Sequence, residues 1–260
     1  MNDLNNQNKV ILDAKNISIV FGGLKAVTDF NITIRENELV GLIGPNGAGK
    51  TTVFNMLTGV YKPTSGKITL CGEDVTYLSP HVRVEKGISR TFQNIRLFKK
   101  LSVSDNIKAA FNTRKNYTVF DAIFRTKRFW KEEKLIDEKT NEILDILGLS
   151  DCSEEIANNL PYGKQRKLEI ARALATSPKL ILLDEPAAGM NPIETSELME
   201  TIKTVREKFN TTILLIEHDM KLVMGICEKI TVLSFGEIIA SGSPEEIKNN
   251  PDVISAYLGE

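Results

Sequence analysis

The amino-acid sequence predicts an α/β fold in which a parallel sheet carries a Gly-rich loop. Three observations predict it. Short β-type runs broken by glycine turns fill residues 10 to 92, a Gly-rich segment at 44–51 stands between an apolar run and a helix-permissive one, and two later apolar runs, KLILLDEP and TTILLIEH, flank a helical stretch. Continuous apolar runs joined through a helix are the mark of parallel strands covered on both faces.

Composition narrows the class. With 260 residues, the chain has the size of one large domain or of a core with a smaller lobe, and 42% hydrophobic with 26% charged residues is ordinary globular usage. Lys plus Arg is 33 against 34 Asp plus Glu, a net charge of −1. That balance lacks the broad basic field of a protein that lives on nucleic acid, so no nucleic-acid partner is expected. Cys71, Cys152 and Cys227 are too far apart for a C-x-x-C pair and odd in number, which fits a reducing compartment. The polar start MNDLNNQNKV has no apolar h-region, and runs such as 180–183 fall far short of the ~20 residues of a membrane span. A cytoplasmic chain is expected, brought to a membrane by partners if at all.

Taken in order, ILDAKNISIVF, KAVTDFNITI and ELVGLIG read as strands, TTVFNMLTG as a helix, and GKITLCGEDV and GISRTF as further strands. Residues 1–93 thus form an N-terminal β subdomain with part of the core. From Asn94 to Asn159 charged, helix-permissive sequence takes over, with Ser102 or Ser104 as an N-cap and Gly148 as a C-cap. This predicts an inserted helical subdomain, 94–159, with 160–176 attached. Residues 177–260 return to the core: two buried strands around a helix that starts after Pro192, two strands around Gly236, and short C-terminal helices. The basic stretch from Arg125 to Lys134 contains Glu132 and Glu133, and its adjacent Phe129 and Trp130 cannot share one helix face, so it reads as a solvated surface. His81 has no Cys or His neighbour and reads as structural.

The segment Gly44-Pro45-Asn46-Gly47-Ala48-Gly49-Lys50-Thr51 fits G-x-x-x-x-G-K-S/T in the strand-to-helix context this motif requires. Its glycines let backbone N–H groups and a helix N-terminus face an anion, Lys50 adds a cation for the outer phosphates, and Thr51 offers a hydroxyl to Mg²⁺. Thr52 follows in the same turn. Downstream, Leu180-Ile181-Leu182-Leu183 ends in Asp184 and Glu185 at the strand edge where ligands of open α/β sheets collect. Asp184 is the expected Mg²⁺ ligand and Glu185 the carboxylate that polarises an attacking water.

Three more segments complete a pattern: Gln93 after a strand, Leu160-Pro161-Tyr162-Gly163-Lys164-Gln165 opening a helix, and His218 after TTILLIE. In this order they resemble the motifs of ABC-transporter ATPase subunits, from about residue 10 to 259. The resemblance implies a P-loop NTPase core of ABC-ATPase type, with an antiparallel β subdomain and an inserted α-helical one. It makes Gln93 the Q-loop glutamine, near both metal and water, and Ala188-Gly189-Met190-Asn191 the D-loop. His218 is the switch histidine and Phe21 the aromatic stacked on adenine. Tyr162, Gly163, Lys164 and Gln165 become signature residues that meet ATP. The usual signature is L-S-G-G-Q; here Pro161 and Tyr162 replace a serine and a glycine, which removes a hydroxyl and leaves the phosphate role to Gly163, Lys164 and the helix N-terminus. That departure, the Arg90-Thr91-Phe92-Gln93-Asn94 segment and the tail ending Ala-Tyr-Leu-Gly-Glu are similar to the G-type ATP-binding subunits of branched-chain amino-acid importers. The resemblance implies ATP and Mg²⁺, permease subunits in the membrane, a second ATP-binding subunit joined head to tail, and a place on the cytoplasmic face of the membrane. The alternative is a soluble ABC-type ATPase clamping nucleic acid or ribosome. It fits less well, because no sustained heptad pattern lies between Thr51 and Leu160 and the chain has one P-loop.

Overall fold

A computed structural model describes residues 9–111 and 117–258; the first eight residues of the polar start, and Gly259 and Glu260 of the tail, lie outside the described residues. In chain order the elements are β1 (Val10–Phe21), β2 (Leu24–Arg35), β3 (Leu39–Ile43), α1 (Lys50–Leu57), β4 (Ser65–Leu70), β5 (Glu73–Asp74), α2 (Pro80–Lys86) and β6 (Ile88–Arg90). Next come α3 (Val103–Ala110), α4 (Val119–Ile123), α5 (Lys127–Leu147) and α6 (Tyr162–Ala175). The chain then forms β7 (Leu180–Asp184), α7 (Pro192–Phe209), β8 (Thr212–Ile216), α8 (Met220–Ile226), β9 (Lys229–Ser234), β10 (Glu237–Gly242), α9 (Pro244–Lys248) and α10 (Pro251–Leu258). Two compact units result: one made of the described residues up to Gln93 and from Lys179 onward, the other spanning Asn94–Pro178.

The first unit holds both sheets. An antiparallel sheet runs β2-β1-β4-β5, and a six-stranded sheet runs β10-β9-β3-β8-β7-β6, parallel except for the β10 edge. Every residue of β3, β7 and β8 is buried, which is why these strands read as unbroken apolar runs. Their register aligns Leu42 with Ile216 and Ile216 with Asp184, while Arg90 sits opposite Leu182. The C-terminal ends of β3, β6, β7 and β8 therefore lie along one edge of the sheet, and the segments that follow them begin there.

Helix α2 was not anticipated by the sequence reading. Its seven residues are too short to show a period, and it is defined by its punctuation: Pro80 in the first turn and Gly87 as a left-handed cap at φ 111°. It carries Arg83, 1% exposed, whose guanidinium donates to the carbonyls of Met56 at 2.7 Å and Leu57 at 2.6 Å, and to Thr76 O at 2.8 Å. Burial pulls the Arg83 pKa down to about 10, well above neutrality, so the side chain stays a cation. It satisfies the orphan carbonyls at the end of α1 and complements that helix's negative pole.

In the second unit, α3, α5 and α6 pack together. Ser102, not Ser104, caps α3, accepting from Asp105 N at 3.0 Å, and Gly148 closes α5 at φ 64°. Helix α6 begins at Tyr162, within the Leu160–Gln165 segment that the sequence reads as opening a helix. Pro161 is its N-cap, its ring fixing φ at −54° while offering no side-chain acceptor.

Replacing Arg83 with Met removes the guanidinium and leaves three buried carbonyls short of a donor. The expected loss is about 3 kcal/mol of unfolding free energy, read as a lower denaturant midpoint by circular dichroism.

Candidate nucleotide site

The loop from Gly44 to Thr51 leaves β3 at the sheet edge and enters α1. Gly44 has φ +150°, and a Cβ there would lie 2.0 Å from the carbonyl oxygen of Leu233, so the loop passes closer to β9 than any side chain permits. The Lys50 side chain folds back beneath it: Nζ donates to Gly44 O at 2.6 Å and Pro45 O at 2.9 Å, and the residue is 7% exposed. Burial lowers its pKa, and the charge of Glu185 works in the opposite direction. Thr51 is exposed and Thr52 half-buried in the first turn of α1.

Two carboxylates stand where β7 ends. Asp184 is buried, and its Oδ2 accepts from Arg90 Nη2 at 2.6 Å; Arg90 in turn donates through Nη1 to Asn55 Oδ1 at 2.7 Å. One guanidinium thus joins the end of β6, the end of β7 and the face of α1. Glu185 adopts φ +44°, an uncommon left-handed conformation for a carboxylate residue, and its amide donates to Ile216 O at 2.9 Å. The turn directs its Oε2 to Gln93, whose Nε2 donates at 2.8 Å, with His218 Nδ1 at 3.8 Å. Glu217, fully buried, binds three backbone N–H groups: Ala187 at 2.7 Å, His218 at 3.1 Å and Asp219 at 3.5 Å. Burial raises its pKa, while these three donors oppose the shift.

Gln93, Glu185 and His218 thereby meet Gly44, Pro45 and Asn46 around a cavity of about 500 Å³, which Tyr257 also lines. A carboxylate set against a Gly-rich loop, an ammonium and an imidazole can bind a polyphosphate and orient a water at its end. Among the described residues no group of three or more His, Cys, Asp or Glu side chains converges on a metal-sized point. A divalent cation here would be held by few protein ligands, as Mg²⁺ on a nucleotide usually is.

Phe21 ends β1 and is 43% exposed, packed edge-on against Tyr61 at 5.3 Å between ring centroids. Residues 160–165 belong to the other unit. There the Lys164 ammonium, expected to serve phosphate, pairs with Asp151 at 2.9 Å, which raises its pKa. Gln165 Nε2 donates to Leu160 O at 2.8 Å, and Tyr162 Oη accepts from the buried Arg166 at 3.2 Å. Gly163 lies in the first helical turn, where backbone N–H groups have no partners within the helix.

Residues 27–188 match the family model described as ABC transporter. The chain belongs to the ABC transporter family. A second model, the branched-chain amino acid ATP-binding cassette transporter, matches 237–260 of the cassette. The cassette is 47% identical over 250 residues to the high-affinity branched-chain amino acid transport ATP-binding protein BraF of Pseudomonas aeruginosa, covering 96% of this chain and 98% of that one. It is equally similar, 47% with the same coverage, to LivG of Escherichia coli K12, whose description is the same. A crystal structure of the ADP conformation of an ATP-binding cassette of an ABC transporter superposes with a TM-score of 0.83 at 32% identity, covering 96% of this chain and 99% of that one. The fold expected from the motifs, an ABC-type P-loop core, is the fold found.

Several residues of the cassette's site escaped the sequence reading as chemistry. In the sequence Arg90 belongs to a family-like segment, and nothing local marks it as the partner of Asp184, 94 positions away. Glu217 repeats at β8 the pattern of β7, an apolar run ending in a carboxylate, and this was a usable signal. Tyr257 carried none, because only the packing of α10 brings it to the loop.

Lys50→Ala deletes a buried cation while leaving the backbone cradle in place. ATP affinity is expected to fall by at least tenfold with the thermal midpoint little changed, measured by titration calorimetry and melting of the same preparation.

Proposed function

We propose that this chain is the ATP-hydrolysing subunit of an importer for branched-chain amino acids. The observation that carries the proposal is the meeting of Gln93, Glu185 and His218 with the Gly-rich loop in one cavity, in a chain nearly half identical to BraF and LivG. The loop N–H groups and Lys50 hold the phosphates, Thr51 and Asp184 with Gln93 hold Mg²⁺, and Glu185 orients the attacking water. When bound, Mg²⁺ neutralises charge on the outer phosphates and fixes their geometry. Arg90 steadies the Asp184 carboxylate from its second side, so that group is already oriented by the protein. Gln93 does the same for Glu185, and His218 Nδ1 approaches the same carboxylate oxygen. Phe21 offers its exposed face to the adenine ring.

Residues 160–165 of a second cassette complete the site head to tail, with Gly163 and the start of α6 presenting N–H groups to the terminal phosphate. Among the described residues no helix is long and apolar enough to cross a membrane, so permease subunits supply both the path for the amino acid and the attachment to the cytoplasmic face. The relatives favour this reading over a clamp on nucleic acid or ribosome, as does the chain's near-neutral charge.

Two measurements test it. Glu185→Gln keeps shape and removes the charge that polarises water, so single-turnover hydrolysis should drop by ~10²–10⁴-fold with ATP still bound. Hydrolysis at the wild-type rate removes Glu185 from this role. Purified from native membranes, the chain should bring polytopic subunits with it and, reconstituted with them, drive ATP-dependent uptake of leucine, isoleucine or valine; a complex without a membrane protein defeats the importer reading.

A further inference from the structure

We infer that Tyr257, near the end of α10, is a nucleotide-contacting residue whose phenol donates a hydrogen bond to the terminal phosphate of ATP. The inference rests on the ATPase reading above and adds a contact that the family motifs do not supply.

Helix α10 is firmly placed. Asn250 Oδ1 accepts from Asp252 N at 2.9 Å and Val253 N at 3.2 Å, and Val253 is 4% exposed. From that anchor the helix runs beside the Gly-rich loop, where Ser255 and Ala256 share a cavity wall with Asn46, Gly47 and Ala48. Tyr257 follows. It lines one cavity together with Met220, Met224 and Ile254, and a second together with Gln93, Glu185 and His218. The side chain, 39% exposed, thus stands between an apolar cavity and the one on the phosphate side.

The chemistry at that end is directional. Burial raises the phenol pKa and the nearby Gly44 backbone opposes the shift, so the group is neutral and retains its hydrogen. Phosphate oxygens only accept hydrogen bonds, so a phenol that lines the cavity with Gln93, Glu185 and His218 meets a phosphate there by donating its O–H. Inner phosphates belong to the loop N–H groups and the start of α1. The cavity shared by Tyr257 and Glu185 belongs to the third phosphate and the water that attacks it, and ADP has nothing there to accept the bond. Tyr257 therefore distinguishes ATP from ADP.

The test is titration calorimetry of the full chain with Mg²⁺, using ADP and a non-hydrolysable ATP analogue, on wild type, Tyr257→Phe, Tyr257→Ala and Lys50→Ala. Tyr257→Phe keeps the ring and is expected to weaken the ATP analogue about tenfold or more while ADP affinity stays within twofold. Tyr257→Ala should lose at least as much. Equal losses for both nucleotides, meaning a support for the loop, overturn the inference. So does an unchanged affinity in Tyr257→Phe, or a tighter analogue in Tyr257→Ala, which would make the ring a plug. Lys50→Ala separates the two levels. If it binds both nucleotides as wild type does, the nucleotide reading falls and this inference with it. If it weakens both while Tyr257→Phe binds normally, the Tyr257 contact alone falls.

Discussion

Parallel pairing of β3 with β8 and of β8 with β7 brings Leu42, Ile216 and Asp184 to one level of the sheet, and the positions of the chemical groups descend from that level. The three strands are buried on both faces, so a slip of one residue along any of them would drive apolar side chains out of the core or polar ends into it. Register is therefore held by the whole core and not by the site. Each strand then delivers its C-terminal residues to the same edge: the Gly-rich loop from β3, the two carboxylates from β7, and Glu217 and His218 from β8.

On that frame, buried charges are matched one by one. Arg83 meets carbonyls at the end of α1, Arg90 meets Asp184 and Asn55, and Lys50 meets the carbonyls of its own loop. Isolated charges at such burial would cost several kcal/mol each, and these pairings offset the cost by placing donors where helix and loop ends leave acceptors exposed. The same arrangement stiffens α1 at both ends, through Lys50 at its start and Arg83 at its finish. A helix whose N-terminus must face phosphate groups without shifting benefits from both.

Much of this was legible in the sequence because the informative features are local. An apolar run of five residues ending in Asp-Glu reads as a buried strand reaching a sheet edge, and it is β7. A Gly-rich octet between an apolar run and a helix-former has few other uses, and it joins β3 to α1. The parallel sheet, the close of α5 at Gly148 and the strand pair around Gly236 follow from the same local rules, while the antiparallel sheet was implied by the family resemblance. What escaped is relational. Arg83 looks like any surface arginine in PHVRVEK until α2 packs under α1, and α2 itself is too short to declare a period. Lys164 read as a spare cation because Asp151, which takes its charge, lies in a separate turn. The start of α6 at Tyr162 depends on Pro161 acting as a cap without a capping side chain, an exception to the residue preferences by which helix starts are read.

Glu217 gives the edge a mechanical property. Its carboxylate takes a hydrogen bond from Ala187, at the head of the stretch leading from Glu185 to Asn191, and others from the backbone of His218 and Asp219. A single buried carboxyl group thus ties together two loops that spring from different strands. If either loop is pushed, the carboxylate must follow it or surrender a donor in a place no water reaches, and both courses transmit the push to the other loop. Ala187, which precedes Ala188-Gly189-Met190-Asn191, and the backbone that carries the imidazole beside Glu185 are therefore tied to one side chain with no linker between them.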